Sequence, residues 1–141
     1  MTSIGEVINL FLMLVNDYKL KQIFDLGNLE QYVEAWLRMA IAEFDRVRSQ
    51  PLAYDPITKT FSETLTNEDL VILSQLMVKY WLTKEVNDVL AMENVLQDHD
   101  FTRHSEAQNL DAKRGLLNRQ IEDCKQLLIQ YGYDHFVWNH V

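Results

Sequence analysis

The segment that most constrains the fold runs from Thr66 to Leu82, because its apolar residues would lie on nearly every side of a helix. Such a helix needs packing partners all round, as the central helix of a bundle has. Thr66 and Asp69 approximate a capping box, in which each side chain accepts a hydrogen bond from the other residue's backbone N–H. A central helix is therefore predicted to begin here and to continue, with a more polar composition, beyond Thr83.

Two amphipathic segments precede the central helix. The first spans about residues 3–25, with Thr2 or Ser3 as a candidate N-cap, and the second follows a break at Gly27, with Asn28 as its N-cap. The apolar stripe of the second segment has helical spacing over about five turns: Leu29, Tyr32, Val33, Trp36, Leu37, Ala40, Ile41, Phe44 and Val47. Both segments are predicted to be helices that pack on the central one.

A further helix is predicted after a loop at residues 97–105, with Asp100 or Ser105 as its cap and Gly132 as its end. The spacing of its apolar residues is heptad-like and favours packing at a shallow angle against another helix. Arg114 stands where that series expects an apolar residue. The series is Ala107, Leu110, Leu117, Ile121, Cys124, Leu128 and Tyr131.

Length and composition fit this reading. A chain of 141 residues, 48% hydrophobic, matches one ordinary domain with a packed core. Four glycines and two prolines are too few for the many tight turns of an all-β fold. The sequence therefore predicts an all-α, single-domain bundle spanning residues 1–141, with four to five helices and one extended loop or short β-hairpin.

That loop, residues 49–65, holds both prolines, Pro51 and Pro56, and is predicted to turn near Pro56. Two short strands of a projecting hairpin fit here, with Tyr54, Ile57 and Phe61 as its apolar side chains. Long ordered loops often carry function, and these three residues are candidate interface residues. The alternative is a surface crossing that folds back on the body of the protein.

The C-terminal segment, residues 132–141, is an aromatic tail that contains Tyr133, Phe136 and Trp138. Aromatic side chains bury large areas, so these three are the remaining candidate interface residues. They could dock either on the protein's own core or on a neighbouring subunit, and the sequence leaves both possibilities open.

The sequence offers no catalytic arrangement, so we expect no enzyme, no cofactor and no metal site. The single cysteine, Cys124, cannot form an internal disulfide and fits a small buried hydrophobe. His99, Asp100 and His104 lie close together but lack a further ligand at metal-binding spacing. Four scattered glycines cannot build a phosphate-binding loop.

Charge argues against general binding of nucleic acid, because the formal net charge is -8 and no dense basic run occurs. A small helical DNA-binding regulator is the alternative, with the helix of Lys113, Arg114, Asn118 and Arg119 for recognition. The longest apolar run, from Leu10 to Val15, is too short to span a bilayer, and residues 1–7 lack a basic signal-like start. We therefore expect a cytoplasmic protein without a membrane partner.

Two stretches of the second half carry a resemblance: LTNEDLVILSQLMVKYWLTKEVND, and DFTRHSEAQNLDAKRGLLNRQIEDCKQLLIQYGY. They contain a capped apolar helix ending in Trp81 and Leu82, a short loop and a long final helix reaching Tyr131. The loop pattern comprises Asp100, Phe101, Ser105, Ala107 and Leu110. This pattern resembles small helical structural proteins encoded among the head and neck genes of tailed phages that infect low-GC Gram-positive bacteria.

The resemblance implies a head–tail connector, that is, an adaptor or head-completion protein of the neck. Such proteins are small helical bundles with one extended loop, and they form rings between the portal and the tail. The implied partners are further copies of the chain, the portal protein, tail or neck proteins, and DNA that passes without sequence-specific binding. The implied location is the neck of the virion, and the host cytoplasm during assembly. The resemblance covers about half the chain, so another tail-side or tail-completion role also fits.

Overall fold

The computed structural model describes residues 2–17, 26–95 and 103–135, with side chains described for 2–15, 32–87 and 111–135. Over the described residues the chain is all-α, with four helices and three two-residue strands, which confirms the predicted fold class. In chain order they are β1 (Thr2–Ser3), α1 (Ile4–Asp17), α2 (Leu26–Asp45), β2 (Tyr54–Asp55), β3 (Thr60–Phe61), α3 (Asn67–Val95) and α4 (Arg103–Asp134).

Helix α3 is the centre of the bundle, as its apolar circumference predicts. It packs against α1, α2 and α4, and it continues through Thr83 without a break. Its residues from Ile72 to Leu82 supply most of the fully buried apolar side chains: Ile72, Leu73, Leu76, Met77, Val78, Trp81 and Leu82. The core therefore forms around one helix, and the other three helices lie on different sides of it.

Helices α3 and α4 run antiparallel. Gln75 contacts Gln120, and further along α3 Glu85 contacts Lys113, so residue numbers rise in one helix as they fall in the other. The predicted heptad seam is wrong in detail. The buried positions of α4 include Lys113 and Gln120, whereas Ile121 is 43% exposed and Arg114 is exposed. Polar contacts between α3 and α4 determine which face of α4 is buried. The spacing of apolar residues alone does not reveal these contacts.

The helix boundaries predicted at two glycines are also wrong. Helix α2 begins at Leu26 and includes Gly27 and Asn28, and α4 continues through Gly132 to Asp134. A glycine inside a helix costs only about 1 kcal/mol, so packing can override it. Gly132 lies beside Val47, where an added Cβ would make an ordinary van der Waals contact at 3.9 Å.

The predicted N-caps of α1 and α3 are confirmed. Ser3 Oγ accepts a hydrogen bond from the backbone N–H of Gly5 at 3.2 Å. Thr66 Oγ1 accepts from the N–H of Asp69, and an Asp69 carboxylate oxygen accepts from the N–H of Thr66, both at 3.1 Å. These bonds satisfy backbone donors that helix starts otherwise leave unpaired.

The predicted hairpin is present, and a third strand extends it. Strand β3 pairs antiparallel with β2, and on its other side with β1, so the strand order is β1-β3-β2. Thr2 Oγ1 also accepts a hydrogen bond of 2.8 Å from the N–H of Leu65. The N-terminal strand, which the sequence pattern does not reveal, thus joins the hairpin to the start of α1.

Arg48 connects three distant parts of the chain just beyond α2. Its guanidinium donates to Asp69 at 3.2 Å, to the hydroxyl of Tyr131 at 3.3 Å and to Glu63 at 3.1 Å. It also lies over the ring of Phe44, 5.2 Å from the centroid. The side chains of Arg48 and Asp69 are only 9% and 8% exposed, so this ion pair is largely shielded from water.

We predict that Arg48→Ala lowers the free energy of unfolding by about 2–4 kcal/mol, because it leaves the Asp69 carboxylate buried without its cation. Arg38→Ala is the matched control, since that exposed arginine of α2 should change stability by less than about 0.5 kcal/mol. Chemical denaturation followed by circular dichroism measures both. A loss below about 1 kcal/mol for Arg48→Ala would show that this network is dispensable.

Candidate interaction surface

The hairpin formed by β2 and β3 has a fixed turn. Asp55 Oδ1 accepts a hydrogen bond of 2.8 Å from the N–H of Ile57, and the N–H of Lys59 donates to the carbonyl oxygen of Asp55 at 2.9 Å. Lys59 adopts a left-handed conformation, with φ of 55°. Its ammonium lies 3.3 Å from Glu34 Oε1 of α2, so the tip of the hairpin is also attached to the helical body.

The three hairpin residues predicted as an interface have different environments. Ile57 at the tip is 90% exposed, whereas Tyr54 is half-buried and its ring centroid lies 5.7 Å from that of Phe61. Phe61 itself is completely buried in the core. The prediction of an interface role is therefore corrected for Phe61, whose side chain fixes the hairpin to the body.

A shallow groove follows the hairpin between β2 and β3. It has a volume of about 480 Å³ and is lined by Ala53, Tyr54, Asp55, Pro56, Thr58, Thr60 and Ser62. The lining carries only one ionisable carboxylate, Asp55, whose oxygens already serve the turn. The groove offers shape and apolar contact, and we find no arrangement for chemistry in it.

The aromatic tail is described only as far as residue 135. Tyr133, in the last turn of α4, is 77% exposed, and among the large apolar side chains that the structure describes only Ile57 is more exposed. His135 stacks on Tyr131 at a centroid distance of 3.9 Å and lies 3.9 Å from a carboxylate oxygen of Glu68. The other two candidates, Phe136 and Trp138, lie outside the described residues.

The seam between α3 and α4 holds the most deeply buried polar groups. Lys113 Nζ lies 3.0 Å from Glu85 Oε2, with side chains 4% and 0% exposed. Lys113 is committed to this ion pair, which removes it from the set of basic residues that could read DNA.

The thiol of Cys124 lies in the same seam, 3.3 Å from the carbonyl oxygen of Gln75. Burial raises the pKa of this thiol to about 11, so it stays protonated at neutral pH.

A second, half-buried network joins α2 to α3. Lys79 donates to Glu43 at 2.7 Å, and the Tyr80 hydroxyl donates to the same carboxylate. Burial acts to raise the pKa of Glu43, but the hydrogen bonds from Lys79 and Tyr80 outweigh it and the net pKa is lowered. Burial, followed by the bond to Glu43, raises the pKa of Tyr80. All three groups satisfy one another, as expected of a structural network.

The histidines and carboxylates that could bind a metal ion lie only partly among the described residues. Among the described residues, no group of three or more His, Cys, Asp or Glu side chains is placed to hold a metal ion. His99 and Asp100 lie outside the described residues, as does the side chain of His104. In the same described part of the chain, no helix is long and apolar enough to cross a membrane.

Comparisons with known protein families, curated proteins and solved structures find no match to this chain. The resemblance to neck proteins therefore stays a prediction from the sequence.

We predict that Phe61→Ala lowers the free energy of unfolding by about 3–5 kcal/mol, because it empties a fully buried site. Ile57→Ser, on the same hairpin, should change stability by less than about 0.5 kcal/mol. Thermal and chemical unfolding of the two variants checks the contrast. Comparable losses of unfolding free energy for the two variants would mean that the tip of the hairpin is packed rather than exposed.

The turn of the hairpin should depend on pH. The N–H of Ile57, which donates to the Asp55 carboxylate, lowers the pKa of Asp55 below its ordinary 3.8. Above pH 3.8 the charged Asp55 carboxylate therefore stabilises the turn. This stabilisation is lost as the pH falls through the lowered pKa of Asp55. In NMR titrations, the chemical shift of the Ile57 amide should change over the pH range in which the Asp55 carboxylate is protonated. The Asp55→Asn variant, which keeps an acceptor without a titrating carboxyl, should remove that transition.

Proposed function

We propose that this chain is a structural subunit of a tailed-phage virion, namely a neck protein that forms a ring between portal and tail and lines the DNA channel. The sequence pattern of the second half suggests this role, and an all-α bundle with one hairpin is the architecture that the resemblance implies. The role is non-enzymatic and rests on contacts between folded surfaces.

The observation that carries the proposal is the exposure of Ile57 and Tyr133. Most large apolar residues of the described chain are buried or half-buried, yet these two are 90% and 77% exposed. Single exposed apolar residues are common on protein surfaces. These two, however, stand on ordered elements, a hairpin with a fixed turn and the end of α4, so contacts through them would cost little ordering of the backbone.

The charge of the chain fits passage of DNA. A net charge of -8 repels phosphate, so a ring of such subunits would not retain the duplex by counterion release. Several basic side chains are also occupied within the chain, because Arg48, Lys79 and Lys113 each pair with buried or half-buried carboxylates. Weak, sequence-independent contact with passing DNA is the expected behaviour.

We expect purified protein to assemble into a ring of defined mass, alone or on the portal protein, measured by native mass spectrometry and mass photometry. Ile57→Asp should weaken this assembly at least tenfold while the helical circular-dichroism signal stays unchanged, because a charge at the tip opposes burial. Asn87→Asp, which adds the same charge at an exposed position of α3 away from the hairpin, is the control and should leave assembly unchanged. A chain that stays monomeric both alone and in the presence of portal protein would reject the proposal.

Assembly with tail proteins but not with portal would place the subunit on the tail side. Truncation after His135, which removes residues 136–141, separates the two readings of the aromatic tail. Loss of assembly with an intact fold indicates contacts between subunits, whereas loss of the fold indicates that the tail packs on its own core.

A further inference from the structure

His135 attaches the end of α4 to the start of α3. Its imidazole stacks on the ring of Tyr131 with the centroids 3.9 Å apart, and its Nε2 lies 3.9 Å from a carboxylate oxygen of Glu68. Glu68 belongs to the first turn of α3, whereas His135 directly follows the last residue of α4. A side chain that can change its charge therefore lies between the ends of two helices.

The contacts of the imidazole favour its protonated form. Nδ1 lies 2.9 Å from the carbonyl oxygen of Tyr131, and because a carbonyl oxygen only accepts hydrogen bonds, Nδ1 is the donor. A neutral imidazole with its proton on Nδ1 has only an acceptor at Nε2, beside the Glu68 carboxylate, which also only accepts. The imidazolium carries protons on both nitrogens, so it is attracted both to the carbonyl oxygen and to the carboxylate.

The charges around His135 favour the same form. Carboxylates reach this end of α4 from α3, from the loop before α3 and from α4 itself. They are Glu68, Asp69, Glu63 and Asp134. Arg48 is the cation that the described residues place among them, and two of these carboxylates already share it. Phe44 and Val47, which pack here from α2 and from just beyond it, are uncharged. The C-terminal end of the dipole of α4 adds further negative potential.

We propose that His135 is a proton-dependent latch. When protonated, it holds the end of α4 on the first turn of α3 through Glu68, and when it loses the proton this end of α4 is released. Residues 136–141, which include the interface candidates Phe136 and Trp138, follow directly, so the latch sets the point at which this segment begins. The latch joins two helices of one subunit and is therefore independent of the proposed ring.

The direction of the pH dependence follows from the charges. An imidazole gains or loses its proton between about pH 5 and 8, whereas exposed carboxylates stay ionised over that range. The latch therefore stabilises the end of α4 on the acid side of this range, and the stabilisation is lost as the pH rises. Burial raises the pKa of Tyr131, so its hydroxyl keeps its proton and its bond from Arg48 throughout. Release is thus confined to the turn beyond Tyr131.

Amide hydrogen exchange measured by NMR tests the latch. The rates are expressed as protection factors, so that the pH dependence of intrinsic exchange cancels. For residues 132–135 these factors should be at least about threefold higher at about pH 5.5 than at about pH 8. Equal protection at the two pH values would overturn the proposal.

Two conservative variants identify the groups responsible. His135→Asn keeps a side-chain N–H for the carbonyl oxygen of Tyr131 but cannot become charged, and Glu68→Gln removes the charge that the imidazolium faces. Each should lower the protection of residues 132–135 at about pH 5.5 to its level at about pH 8. Glu122→Gln is the matched control, because it neutralises an exposed carboxylate of the same helix about 20 Å away along its axis. It should leave the pH dependence unchanged.

The outcomes distinguish the latch from other causes of a pH dependence. A dependence that persists in His135→Asn would come from other groups and would overturn the latch. If His135→Asn removes the dependence and Glu68→Gln does not, His135 acts only on its own helix end, and the attachment to α3 is rejected. Circular dichroism confirms that every variant is folded. A chain that stays monomeric with portal rejects the ring alone, because exchange within the single subunit measures the latch.

Discussion

The ion pair between Arg48 and Asp69 holds the described structure together at the point where its elements meet. Arg48 follows α2, Asp69 lies in the first turn of α3, and Tyr131, which also accepts from Arg48, lies near the end of α4. One guanidinium can bridge all three because its donors point outward from a single plane. The network thus fixes the positions of these helix ends relative to one another. Apolar packing along α3 alone would oppose a shift of one helix along another less strongly.

The seam between α3 and α4 adds a second constraint of the same kind. Glu85 and Lys113 are buried together, and Gln120 donates to the carbonyl oxygen and the side chain of Gln75. A shift of α4 by one turn would separate these partners and leave charges buried alone, which is far more costly than exchanging one leucine contact for another. Polar groups therefore define the alignment of α4, and apolar groups supply the attraction.

The sequence predicts the elements well where a local pattern determines them. The capping box at Thr66, the central position of α3 and the hairpin around Pro56 all follow from residues close together in the chain. The prediction fails where distant residues decide the outcome. Asp69 and Tyr131 lie 21 and 83 residues from Arg48, so nothing in the local pattern indicates their contacts.

The candidate surfaces show the same division. The sequence predicts one interface role for Ile57 and Phe61. The turn, however, leaves Ile57 exposed at the tip, whereas Phe61, which pairs with Thr2, lies in the core.

The small sheet has a consequence for the order of folding. The bond between Thr2 and Leu65 joins residues 63 positions apart, so attaching β1 to β3 closes a long loop, whereas β2 and β3 pair across a short turn. The α3–α4 pair, by contrast, needs only a short connection to close. On the entropy of loop closure alone, we expect the hairpin to attach to the body of the subunit late in folding, and the exposed Ile57 to reach its final position at that stage.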